Sequence, residues 1–332
     1  MDERGFDAVV GHKDIIEHLQ NSADSGKISH AYLFTGEPGS GKKLLATLFA
    51  TLLECEKGRS NPCMKCPSCR KALSQNHPDI IMVTHEKPNT ISVQEIRDQV
   101  VNTVDIKPYE SRYKIYIIDE AEKMNPQAQN ALLKTIEEPP AYAVIMLLAN
   151  SPDALLATIL SRCIRLNLKA VSDRKVREYL MREMHLPDYE AEVAAAFAQG
   201  NIGRAQEAAA GDAFADMTGK TVEIVKGIHD MRIYEIVDTV KSLSEDKSRI
   251  DDFLDVLLMW FRDVLIYKAT RETDGLVFRR ELAEIRRQAS VSSYEGLEEI
   301  LDAIETAKVR LRANVNFDLT LELLFLTIAE NL

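Results

Sequence analysis

Short, continuous apolar runs recur through the first half of the chain, each followed by a longer stretch whose apolar positions repeat every three or four residues. The runs are 32–35 (YLFT), 79–85 (DIIMVTH), 114–119 (KIYIID), 143–150 (AVIMLLAN) and 163–168 (CIRLNL). Their richness in Ile, Val and Leu predicts strands covered on both faces. Helices are predicted between them over 42–54, 93–104, 126–138 and 153–160. Alternating strands and helices predict a parallel, doubly wound sheet with ligands at the strand C-termini.

After about residue 170 the strand pattern stops. Residues 172–184 and 188–200 read as helices, and 200–205 (GNIGRA) is turn-rich. Beyond about 212 come longer amphipathic helices, among them 251–268 and 294–313. In the former, Phe253, Val256, Trp260, Val264 and Tyr267 form one apolar stripe, which places Trp260 in a core. The 332 residues suffice for two or three compact domains. The pattern divides them into an α/β domain (1–170), a small helical module (171–211) and a helical C-terminal domain (212–332).

Composition adds that no apolar run is long enough to span a bilayer, and Met1-Asp2-Glu3-Arg4 opens no secretory signal pattern. A cytoplasmic location is expected. The net charge of −11, from 41 basic and 52 acidic side chains, argues against coating nucleic acid by bulk charge. It leaves room for a local basic face, or for DNA contact as part of an assembly.

Between the first strand and the first long helix lies 36-GEPGSGKK-43. It matches the phosphate-binding loop G-x-x-x-x-G-K-[ST] at every position but the last. Gly36, Gly39 and Gly41 permit close backbone approach, the helix N-terminus offers unpaired amides, and Lys42 stands where the phosphate lysine belongs. The bland alternative is a glycine-rich turn. Lys43 replaces the hydroxyl that holds Mg²⁺ and brings an ammonium near the metal position. Two unit charges ~4 Å apart repel by about 4 kcal/mol at an effective dielectric of 20, and a dication doubles this.

Three further elements bear on the loop. Asp119 and Glu120 end a buried strand, where a carboxylate pair positions metal and water; by itself such a pair also caps helices. Asn150 ends the strand 143–150 and can orient a water, although a turn cap is the simpler reading of a lone strand-end Asn. Arg162, in 158-TILSRC-163, sits past a short helix at the sheet rim. There a solvated surface charge competes with an arginine that reaches a neighbouring subunit's γ-phosphate.

Four of the five cysteines fall together as Cys55-x7-Cys63-x2-Cys66-x2-Cys69. Four thiolates are the set a closed, structural Zn²⁺ site takes, and the turn-forming 56–62 lets the chain fold back. An iron–sulfur cluster is the alternative; His77 can substitute for one cysteine, but a strand-flanking histidine is the simpler reading.

The cysteine insertion after the loop helix, with 119-DEAEKM-124, 132-LLKTIEEPP-140, 161-SRC-163, 29-SHAYLFTG-36 and 313-ANVNFDLTLELL-324, resembles the bacterial DNA polymerase III clamp-loader AAA+ family over essentially the whole chain. That resemblance implies an AAA+ (RecA-like) α/β fold with an inserted zinc module, a small helical lid and an all-α collar. It implies partnership with gamma or tau and delta subunits in a pentameric ring that loads the sliding clamp onto primer-template DNA. Motor subunits of the family carry Thr where this chain has Lys43, so a stationary member is implied, one that turns over no ATP or ADP it holds. Arg162 would then be a trans arginine finger, and Arg204 would occupy the place of a lid arginine that senses nucleotide. Two other readings stay open beside it: an active ATPase motor with an unorthodox loop, and a zinc-ribbon nucleic-acid binder.

Overall fold

The computed structural model describes residues 4–58, 60–245 and 247–332; Met1–Glu3 at the N-terminal opening and Arg59 within the turn-forming 56–62 stretch lie outside them, as does Asp246. The chain forms two compact units. One comprises residues up to Val176 together with Gly200–Arg204, the other Arg177–Gln199 together with Ala205–Leu332.

The first unit runs α1 (Lys13–Ser25), β1 (Ala31–Thr35), α2 (Lys42–Leu53), α3 (Pro67–Leu73), β2 (Ile80–Val83), α4 (Val93–Ile96), β3 (Lys114–Ile118), α5 (Pro126–Glu137), β4 (Ala143–Ala149), α6 (Ala157–Leu160) and β5 (Ile164–Asn167). All strand pairs are parallel, in the order β2-β3-β4-β1-β5. This is the expected doubly wound sheet. The strands β1, β3 and β4 are buried along their whole length, so their near-continuous apolar runs follow from helices on both faces. Period-two alternation sorts their side chains. Leu33, Tyr116, Ile118, Ile145 and Leu147 pack with Leu132 and Ile136 of α5. Tyr32, Phe34, Ile117, Met146 and Leu148 pack on the other face with Leu19 of α1 and Leu45 and Phe49 of α2.

Two expected helices are broken. The 93–104 stretch is helical only to Ile96 and then widens into a π turn over Arg97–Val101. The 153–160 stretch begins as a 3₁₀ turn at Pro152–Ala154 and becomes α-helical only at Ala157.

A pair of buried charges fixes the turn before β3. Asp79, 2% exposed, accepts the N–H groups of Tyr109, Glu110 and Ser111 at 2.6, 3.0 and 3.1 Å. Lys114 donates to the carbonyls of Thr103 and Ile106 at 2.7 and 3.0 Å. Each charge is hydrogen-bonded to backbone dipoles, and the Asp79 carboxylate also attracts the Lys114 ammonium.

The rest is helical: α7 (Asp173–Glu183), α8 (Asp188–Ala198), α9 (Ile202–Ala209), α10 (Ala213–Gly227), α11 (Ile233–Ser244), α12 (Ile250–Thr270), α13 (Leu282–Val291), α14 (Tyr294–Arg312) and α15 (Phe317–Asn331). The unit boundary falls within α7 and α9. On α12, Phe253, Val256, Trp260 and Val264 are buried, as the stripe requires, and Tyr267 is half-buried. Trp260 donates to Gln288 Oε1 at 2.8 Å, so its ring belongs to the core and its N–H is satisfied there.

Candidate functional site

The turn from β1 into α2 is built on glycine conformations. Gly39 and Gly41 have φ of +81° and +97°, a region L side chains avoid. A Cβ on Gly39 would also stand 2.6 Å from Asn201 Oδ1. The segment 201–204 lies against this loop: Asn201 donates to the Pro38 carbonyl at 2.7 Å and the Gly203 amide to the Gly39 carbonyl at 3.0 Å. A Cβ on Gly203 would fall 2.6 Å from the Gly39 Cα, so two glycines permit the contact. Arg204 follows directly, with its amide on Asn201 Oδ1 at 3.1 Å. The turn-rich 200–205 stretch is only partly a turn: α9 begins within it at Ile202, and the missing side chain of Gly203 is what lets it dock on the loop.

Lys42 is buried, and desolvation draws its pKa down against the pull of Glu122, Asp119 and Glu37. Its ammonium donates to the carbonyl of Gly36, to the carbonyl of Glu37 at 2.9 Å and to Asn150 Oδ1 at 3.0 Å. These three acceptors use all three donors of the ammonium. Asn150 is thus a partner of the loop lysine.

Lys43 lies one residue further along α2, and its Nζ is 3.2 Å from Asp119 Oδ2 at the C-terminal end of β3. The lysine that stands in place of the hydroxyl therefore binds the carboxylate expected to face a metal. With an ammonium on that carboxylate and no hydroxyl beside it, the residues present do not fit Mg²⁺. Glu120 has φ +51° and its carboxylate meets Lys123 at 2.6 Å and His85 at 3.5 Å. The hydrogen bond from Lys123 is the main cause holding its pKa below the usual carboxylate range. An acid so stabilised as its anion is a poor proton acceptor.

Arg162 stands apart from this group. Its guanidinium meets Glu137 Oε1 of α5 at 2.9 Å and donates to the Thr158 carbonyl and Ser161 Oγ, both at 3.1 Å. It lines an open cavity of about 470 Å³ with Ser29, His30, Glu137, Glu138 and Pro139. It is half-exposed there.

The four cysteines converge: the sulfurs of Cys55, Cys63, Cys66 and Cys69 all lie within 4.8 Å of one another. Cys66 caps α3 by accepting the Cys69 amide at 3.4 Å, with Pro67 at the first helical position. Cys55 accepts the amides of Gly58 and Cys63 at 3.0 and 3.3 Å. Such amide bonds favour thiolates, and the backbone amide of Lys65 is the first cause that draws the Cys63 thiol down to about 6. Four sulfurs gathered this way can hold a metal ion. His77 is not among them. It is buried, with Nε2 on Ser68 and Ser111 hydroxyls at 3.0 and 3.3 Å and Nδ1 accepting the Asp79 amide at 3.1 Å.

Two family profiles match the chain: "DNA polymerase III, delta subunit" over residues 11–172 and "DNA polymerase III, delta subunit, C terminal" over 230–330. The chain is 31% identical to DNA polymerase III subunit delta' of Bacillus subtilis over 320 residues, covering 95% of each chain. It is 28% identical to the tau subunit of the same organism over 330 residues, 92% of this chain and 58% of that one. Against the tau subunit of Escherichia coli it is 37% identical over 185 residues, 54% of this chain and 28% of that one.

Proposed function

The chain belongs to the DNA polymerase III delta-subunit family, and on that footing we propose that it is the stationary, delta-prime-type member of a clamp loader, an AAA+ subunit that does not itself hydrolyse ATP. The observation that carries this reading is the Lys43–Asp119 ion pair. In-line phosphoryl transfer depends on a divalent cation that neutralises developing charge, and here an ammonium already holds the carboxylate that would position it. Lys42 has its donors spent within the chain, and Glu120 is tied to Lys123 and His85. Each of the three polar parts of a hydrolytic site is thus internally satisfied.

What the loop retains is shape. Docking of Asn201 and Gly203 on Pro38 and Gly39 ties the loop to the 201–204 segment of the first unit. Gly36, Gly39 and Gly41 shape a cradle for ATP or ADP held without turnover, which Lys42 joins on exchanging an internal acceptor such as Asn150 for a phosphate oxygen, with Arg204 on the docked segment as the candidate lid contact. Residues 171–211 are read as a lid and 212–332 as a collar that joins gamma or tau and delta subunits. The cysteine cluster takes Zn²⁺, whose contribution is structural: four thiolates leave no open position. Sliding clamp and primer-template DNA are reached through the assembly, in the cytoplasm.

Arg162 is the residue this subunit would lend to chemistry elsewhere. Half-exposed in the turn just past a short helix at the sheet edge, held only by surface-type contacts, it can exchange Glu137 for the γ-phosphate of a neighbour's nucleotide at small cost. The test is reconstitution of the clamp loader with Arg162→Ala. ATP turnover by the assembly should fall while subunit composition stays intact. Normal turnover by an intact mutant assembly would remove the finger assignment, and steady hydrolysis by the isolated chain would remove the stationary one.

A further inference from the structure

A cavity of about 780 Å³ lies in the first unit beside the cysteine cluster and away from the phosphate loop. Its walls are the end of α1, the end of α2, the start of α3 and the turn before β3. Glu54, the C-cap of α2, lines it while only 5% exposed. Neither of its carboxylate oxygens makes a well-formed hydrogen bond among the described residues; the Ser111 hydroxyl and the Tyr113 and Arg112 amides lie near it, and burial still pushes its pKa up to about 8. Leaving a buried carboxylate unpaired is one of the costlier arrangements a fold can hold, and both oxygens here face the same deficit.

The surroundings favour a cation. Asp24, Glu56 and Glu110 share the lining with Glu54, against Lys71 and Arg112. Lys71 is already committed to both oxygens of Glu110, at 2.5 and 2.7 Å. Arg112 lies over the Tyr113 ring, 5.5 Å from its centroid. The ends of α1 and α2 that border the cavity are C-termini, whose free carbonyls add negative potential. A carboxylate with two open oxygens matches a planar, two-pronged donor better than a point charge. The volume exceeds what one arginine-sized group needs.

We infer that the cavity between α1, α2 and the cysteine module is a binding site for a guanidinium group, with Glu54 as its bidentate anchor. The group can come as an arginine side chain of a partner protein or as a free guanidino compound. Free arginine adds an α-ammonium and an α-carboxylate whose charges offset one another against this lining, so both sources present the same net charge and the titrations below distinguish them.

The test is calorimetric titration of the metal-loaded full chain with Nα-acetyl-L-arginine N-methylamide, with free L-arginine, and with the blocked citrulline analogue, which keeps the shape and loses the charge. The blocked arginine should bind saturably, with the citrulline analogue at least about tenfold weaker. Binding of the blocked arginine ahead of the free amino acid supports a protein side chain as occupant; the reverse order supports a small molecule. Glu54→Gln, isosteric and uncharged, should lose binding by about tenfold while keeping its metal content and thermal transition. No saturable binding of the blocked arginine to the wild type, or equal binding of the citrulline analogue, would overturn the inference, and neither result depends on a variant. Equal affinity in a folded Glu54→Gln chain would do the same.

Discussion

The ammonium of Lys43 stands 3.2 Å from a carboxylate oxygen of Asp119, joining the first turn of α2 to the end of β3 at the position where a hydroxyl and a metal would otherwise meet. Both partners keep solvent contact, with side chains 58% and 34% exposed. As an exposed ion pair it contributes little to stability, about 0–1 kcal/mol. Lys43→Met should therefore shift the thermal midpoint by no more than a few degrees, as read by differential scanning calorimetry. A large loss would mean that the pair serves the fold, which would weaken its reading as a functional replacement.

Chelation tests the cysteine cluster. The native chain should carry one Zn²⁺ and lose its thermal stability when a strong chelator removes it, because closure of the module from Cys55 to Cys69 depends on four converging thiolates. Cys69→Ser should bring zinc content, measured by atomic emission, close to zero. Cys163→Ser should leave it unchanged, since Cys163 lies outside the cluster.

In the second unit, Asp263 supplies a pH dependence. It is fully buried on α12; one oxygen accepts the amides of Val277 and Phe278 at 2.7 and 2.8 Å, and the other has no partner among the described residues. Burial is the largest cause raising its pKa, to about 6, against the amide bonds that lower it. Because the folded value lies above the unfolded one, the folded state binds the proton more tightly. The contribution is fully present below pH ~3.8 and is lost as pH rises through about 6, to roughly 3 kcal/mol at neutrality. Asp263→Asn should flatten this part of the stability profile. Asp263→Ala strands two buried amides and should cost about 2–4 kcal/mol in urea unfolding.

Contact between the loop and the 201–204 segment depends on Gly203, where an added methyl would sit 2.6 Å from the Gly39 Cα. Gly203→Ala should force the segment off the loop, at a cost of about 1–3 kcal/mol. Amide exchange should then rise at Gly39 and Gly203. Unchanged exchange would show that the backbone accommodates the methyl in place.

The sheet was legible because burial on both faces leaves an unbroken apolar run in its inner strands, as in 143–150, whereas the edge strand β5 (Ile164–Asn167) is mostly exposed, against the expectation that it is covered on both faces. The phosphate loop was legible because its glycines, Lys42 and the following helix are local in sequence. The cysteine cluster was legible for the same reason, within 15 residues. The pairing of Lys43 with Asp119 was only half visible. Sequence placed both residues by the metal position, but which atom the ammonium meets depends on how β3 lies beside the loop. Asp79 and Lys114 stand at strand starts in the sequence pattern, yet they pin the 103–111 turn with backbone hydrogen bonds. In the sequence pattern Glu54 is simply the end of a helix. Its isolation arises from elements far apart in sequence, and no local pattern signals it. The break of the 93–104 helix into a π turn likewise leaves its apolar periodicity almost unchanged.

The central claim, that Lys43 takes the place of the loop's divalent cation, is tested most directly by nucleotide affinity with and without Mg²⁺, in the wild type and in Lys43→Thr. ATP binding to the wild type should differ by less than about twofold between Mg²⁺ and EDTA, whereas Lys43→Thr should gain about tenfold or more on adding Mg²⁺. Strongly Mg²⁺-dependent binding by the wild type, accompanied by hydrolysis in the isolated chain, would contradict the account.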